Sequence, residues 1–87
     1  MEMRVYAIRD KKAGFFGKPD FFKHDAEAVR AITVVSQDPQ TLVNKFADDY
    51  ALYHLFSYDD VSGIVQPFAA DMPRFVVEVS ALKGGQQ

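Results

Sequence analysis

The sequence predicts an α+β fold: a small antiparallel sheet of three to five strands with one principal helix packed on a face. Three observations predict it. Arg4–Arg9 and Ala51–Tyr58 are short runs rich in aromatic and β-branched residues, the composition of strands. Ala28, Ala31, Ile32 and Val35 recur at i, i+3, i+4 and i+7, which draws one apolar stripe along a helix. Turn-forming clusters at Asp10–Gly14 and Asp59–Gly63 follow the two strand runs.

The elements follow in order. Arg4–Arg9 is the first strand, and Asp10–Gly14 is a turn in which Gly14 supplies a left-handed position. Phe15–Pro19 reads as a short second strand that is an edge or ends at Pro19, because proline cannot donate to a ladder. In the helix that follows, Glu27 stands three residues after His24 in the spacing of a capping box. His is a poor cap, so Asp25 is the alternative. The run Ile32-Thr33-Val34-Val35 lowers helix propensity, so packing must hold this element, and Asp38-Pro39 ends it.

A second short helix is expected over Thr41–Phe46, with Thr41 or Gln40 at its start. Ala51–Tyr58 is the clearest strand. A turn at Asp59–Gly63 should return the chain antiparallel over Ile64–Phe68. Arg74–Ala81 alternates, with Phe75, Val77, Val79 and Ala81 on one side and Arg74, Val76, Glu78 and Ser80 on the other, and so predicts a final strand. Residues 1–82 are read as a single domain and 83–87 as a flexible tail.

Composition narrows the function classes. An apolar content of 48% with 25% charged residues describes a folding chain rather than a disordered one. The absence of cysteine excludes a disulfide framework, a thiolate nucleophile and Cys-based zinc. The N-terminus lacks the pattern of a signal peptide, and no apolar run approaches the roughly 20 residues that span a bilayer. The net charge of −2 is unlike a DNA-coating protein, but it is unevenly spread. Residues 1–30 hold seven Lys/Arg against five Asp/Glu, whereas residues 31–87 hold three against seven, so any nucleic-acid contact should come from the first third.

The stretch Lys11–Lys23, KKAGFFGKPDFFK, carries the candidate site. Lys11, Lys12, Lys18 and Lys23 alternate with the pairs Phe15–Phe16 and Phe21–Phe22. Bases stack on flat rings while phosphates meet ammonium groups, which suits a single nucleic-acid strand. The same rings could fill a small core; in extended geometry one ring of each pair faces in and the other out. Tyr50, Tyr53, Phe56 and Tyr58 form a second aromatic set suited to a sheet surface or an oligomer interface. Arg30 falls off the apolar stripe and should be solvated.

Catalytic and metal patterns are not found. His24 and His54 lie in different elements without a flanking nucleophile or ligand spacing, and Ser57, Ser62 and Thr41 lack a nucleophile elbow. Asp48-Asp49 and Asp59-Asp60 suit turns better than a calcium loop. The expectation is a non-enzymatic protein with no cofactor and no metal.

Three blocks carry a family resemblance. RVYAIRDKKAGFFGKPDFF is similar to a "V-Y-x-I-x-D" strand, a Gly-containing turn and an aromatic after proline. AEAVRAITVVSQDPQT matches an "E-A-x-R" helix followed by "D-P-x-T", and FADDYALYHLFSYDDVSGIVQPF matches "D-Y-x-L-Y-x-L-x-x-[YF]-D-x-x-x-G". In order and spacing these blocks, spanning residues 4–68, resemble the nonstructural protein of gokushovirus-type microviruses, phages with small circular single-stranded DNA genomes. Ala47 stands where that family often has proline, and Phe56 where it often has glycine. The resemblance implies a role in viral DNA replication, or in the switch to single-strand synthesis and packaging, in the host cell cytoplasm. It attaches no catalytic residues.

The leading expectation joins the two readings: an accessory protein that binds single-stranded DNA, or the replication complex on it, through Lys11, Lys12, Phe15, Phe16, Lys18, Phe21, Phe22 and Lys23. The alternative is a dimeric adaptor that docks on a viral or host replication protein without touching DNA, as the acidic later two-thirds would favour. A scaffold-like role in assembly is a third. No membrane partner is expected.

Overall fold

In the computed structural model, which describes residues 1–67 and 69–84, strands and helices appear in the order β1 (Glu2–Asp10), β2 (Phe15–Phe16), β3 (Asp20–Phe22), α1 (Asp25–Ser36), α2 (Leu42–Lys45), β4 (Tyr50–Asp59), β5 (Arg74–Glu78) and α3 (Val79–Gly84). A single 3-10 turn at Ala47–Asp49 leads into β4. The five strands form one antiparallel sheet, as expected for the α+β class. β1 and β4 are its long central pair, and β5 lies outside β4. β2 and β3 both pair with β1 on the side away from β4, Phe16 opposite Arg9 and Phe21 opposite Val5. They therefore lie end to end along one edge.

Local chemistry explains the turns. Asp10 accepts from the backbone N–H groups of Lys12 and Ala13 at 3.1 and 3.0 Å, and Gly14 closes the turn at φ +87°. The expected strand over Phe15–Pro19 is shorter, since β2 ends at Phe16; the chain rejoins β1 just past Pro19 as β3, a strand the sequence reading missed. His24, not Asp25, caps α1: its Nδ1 accepts from the Glu27 N–H at 3.3 Å. Glu27 reaches back to the Lys23 N–H at 2.8 Å, one residue before the position of a standard capping box. Thr41 caps α2 through its hydroxyl, as expected.

The core lies between the sheet and α1. Tyr6, Ala28 and Leu52 are its buried centre, and Ile8, Phe22, Val29, Ile32, Val76 and Val77 pack around them. The buried stripe of α1 thus runs through Ala28, Val29, Ile32 and Ser36, while Val35 is 37% exposed. Arg30 is exposed, as the stripe predicts. α3 packs against α1 on the same side of the sheet.

Two expectations are corrected. Among the described residues, the return after the Asp59–Gly63 turn forms no strand: Val65 makes an isolated antiparallel bridge to Tyr58, and Phe68 lies outside the described residues. The final strand stops at Glu78, where the chain turns into α3 with Val79 fully buried. A bulge at Val76 also breaks its alternation, because Leu52 pairs with Val77 but Tyr53 pairs with Phe75. Lys83 and Gly84, expected to begin the tail, belong to α3; residues 85–87 lie outside the described residues.

Candidate nucleic-acid interface

Strand register decides which side chains share the face of the sheet turned away from α1. Paired residues point the same way, so Arg9, Phe16, Ala7, Tyr53, Phe75, Val5, Phe21, Phe56 and Tyr58 all stand on it. A bulge at Leu55 keeps Phe56 and Tyr58 in phase with Tyr53. No described helix covers this face. Phe21, Phe75 and Phe56 are 54%, 49% and 40% exposed.

The rings form two groups. Phe16, Tyr53 and Phe75 meet edge to face across three strands, with centroids 5.5 and 5.8 Å apart. The Arg9 guanidinium sits 5.0 Å above the Phe16 ring, a cation–π contact. Phe21 and Tyr58 make the second group, edge to face at 5.9 Å. Val5 and Ala7 between them are almost fully buried, so the larger neighbouring rings shelter the small residues of β1. These rings are held by their neighbours; Phe21 and Phe75 stay open to solvent, while Phe16, Tyr53 and Tyr58 are half-buried, and rings fixed in this way can serve as a stacking platform.

The structure divides the sequence-predicted site. Phe16 and Phe21 stand on the open face together. Phe22 turns inward, edge to face with Tyr6 at 5.8 Å, and joins the core. Phe15 is 62% exposed but points to the opposite side, where it lines a groove of about 440 Å³ with Leu42, Val43 and Tyr50. Lys12, Lys18 and Lys23 are exposed along the β2–β3 edge, and Lys11 pairs with Glu78. Segment 11–23 holds four lysines and one Asp, which makes this edge of the sheet cationic; Lys18 lines the Phe15 groove, and Lys12 lines the neighbouring one with Leu42 and Phe46.

Arg9 and Phe75 were not singled out from the sequence. Arg9 follows Ala7 by two in the strand alternation, a signal that was available. Phase alone did not bring Phe75 to Tyr53; the Val76 bulge does.

On the helix side lies a polar cluster that sequence spacing could not reveal, because its hydrogen-bonded partners are up to 49 residues apart. Asp25, at the start of α1, accepts from Arg4 at 3.0 Å, from Arg74 at 2.8 and 3.0 Å, and from the buried Tyr6 hydroxyl. Hydrogen bonding from Arg74 holds the Asp25 carboxyl down at about 2. Burial pushes the Tyr6 phenol up, and the Asp25 carboxylate adds to that.

Arg74 also donates to His54 Nδ1 at 3.2 Å, and His54 Nε2 lies 3.0 Å from Ser57 Oγ. This chain of contacts has the outline of a nucleophile and base, but its polarity is reversed. An arginine can only donate, so Nδ1 must accept and the proton resides on Nε2, where it points at Ser57. His54 in that tautomer cannot take the serine proton. Burial first, then Arg74 and Arg4, hold His54 below its ordinary pKa and keep it neutral. Among the described residues, no three His, Asp or Glu side chains gather in metal-binding reach.

The Phage ORF5 protein family matches residues 3–82 of this sequence. The chain belongs to that family. This bears out the phage kinship that the sequence blocks implied. No curated protein and no solved structure matches the chain. Among the described residues no helix is long and apolar enough to cross a membrane.

Proposed function

We propose that this phage protein is a non-enzymatic, nonstructural accessory factor of a gokushovirus-type microvirus, acting in viral single-stranded DNA synthesis or packaging in the host cytoplasm. It binds single-stranded DNA on the open face of its sheet. The observation that carries the reading is the pair of ring groups, Phe16–Tyr53–Phe75 and Phe21–Tyr58, on the face that no described helix covers, with Phe21 and Phe75 exposed, next to the lysine-bearing β2–β3 edge. Rings offer each base a π-face regardless of its identity, and the lysines meet the phosphates.

A salt titration tests this. Each neutralised phosphate of a single strand contributes a slope of about −0.7 in log K against log salt, so engagement of the lysine rim gives steep weakening. An affinity for oligodeoxynucleotides that stays flat between low and high salt overturns the mechanism.

The adaptor reading has its own support on the other side of the sheet. Phe15, Leu42 and Phe46 are 62%, 61% and 54% exposed around the groove, an apolar surface suited to a protein contact. A dimer by native mass that shifts no DNA in a gel would favour it.

A further inference from the structure

We infer that the open face is a short, sequence-tolerant site with two stacking stations, Phe16 and Phe21, and a footprint of no more than about five nucleotides. This rests on the reading that a single strand lies there. Phe16 pairs with Arg9 and Phe21 with Val5, so the two rings are four residues apart along β1. At about 3.3 Å per strand residue the separation is about 13 Å. A strand stacked at about 3.4 Å per nucleotide covers that span in about four steps, so about five nucleotides reach from one station to the other, and a stretched strand needs fewer.

The geometry also sets the strand's path. Both stations lie on the same edge, and the segment joining them carries Lys18, held against β1 by the Gly17 N–H donating to Ile8 O at 2.8 Å. Lys12 precedes the first station and Lys23 follows the second. Phosphates therefore run along the β2–β3 edge, parallel to β1, with the bases turned inward over the rings. Tyr53 and Phe75 back the first station, and Tyr58 backs the second. The polar groups these ring groups present are the two tyrosine hydroxyls and Arg9, whose guanidinium is already on Phe16. Stacking without edge readout makes the site tolerant of base identity.

The test uses the whole chain, whose four tyrosines and lack of tryptophan make tyrosine fluorescence the readout. Titration with oligothymidylates of two, five, eight and sixteen nucleotides should give quenching whose affinity per site levels off at about five nucleotides, with about one protein per five nucleotides on the longest. Oligoadenylate should behave comparably. Phe16→Leu and Phe21→Leu should each weaken binding about five- to 150-fold, the range of one lost base stack. Phe15→Leu, on the other face, should not.

Affinity that keeps rising to sixteen nucleotides, or strict base preference, overturns the footprint while leaving DNA binding intact. Absence of binding to any oligonucleotide overturns the function as well. A dimer that both Phe16→Leu and Phe21→Leu dissociate would assign the face to a second copy and end the inference.

Discussion

Asp25 is the residue on which the most distant parts of the chain converge. It ties β1 through Arg4 and Tyr6, and β5 through Arg74, to the first turn of α1. Its folded pKa of about 2 lies below the ordinary 3.8, so its contribution to stability is fully present above that ordinary value and is lost as pH falls through about 2. Thermal unfolding followed between pH 5 and pH 2 should show a falling midpoint. Asp25→Asn should start lower at pH 5 and depend less on pH in that window. An identical pH dependence in both proteins would remove Asp25 from this role. His54 acts in a neighbouring window. Its depressed pKa means that the unfolded chain takes up a proton more readily, so stability falls as pH drops below about 6.5. Nitrogen-detected NMR at neutral pH should find His54 neutral with its proton on Nε2; a proton on Nδ1 would contradict the Arg74 contact.

At the scale of elements, α1 shows how a weak local signal becomes sufficient in context. His24 accepts the Glu27 N–H at 3.3 Å, a long bond from a residue outside the preferred cap set. His24→Ser should therefore raise unfolding stability by about 0.5–1 kcal/mol, measured by chemical denaturation, and no gain would mean the imidazole already caps as well as a hydroxyl. The sheet's central strands and α1 were legible because their periodicities are local. What escaped was set by contacts that periodicity does not encode. β3 forms because β1 offers a free edge beyond Pro19, and Arg74–Ala81 bends into α3, which packs on α1 and begins at the fully buried Val79. The site was half legible for the same reason. Alternation within each Phe pair correctly sent one ring to each face, but it could not say that Phe16 would meet Tyr53 or that Phe22 would meet Tyr6. The Asp25 cluster was hidden entirely, since Arg4 and Arg74 come to it from 21 and 49 residues away.

Across the whole molecule, charge and exposed rings are segregated in a way the net value of −2 conceals. Exposed lysines line one edge of the sheet, while residues 31–87 hold seven acidic against three basic side chains and include α2, where Lys45 stands exposed. An acidic body with a basic rim repels a polyanion at long range and accepts it only where rings and lysines coincide. Binding should consequently depend on which lysines are present, not on how many. Replacing Lys12, Lys18 and Lys23 together by Gln should make the salt slope shallower by about 2, three phosphates at about 0.7 each. Lys45→Gln changes net charge as any one of those substitutions does, but it belongs to α2, outside segment 11–23, and should leave the slope alone. Equal effects from Lys45 and a rim lysine would mean that overall charge governs association, and the segregated edge would then have no part in it.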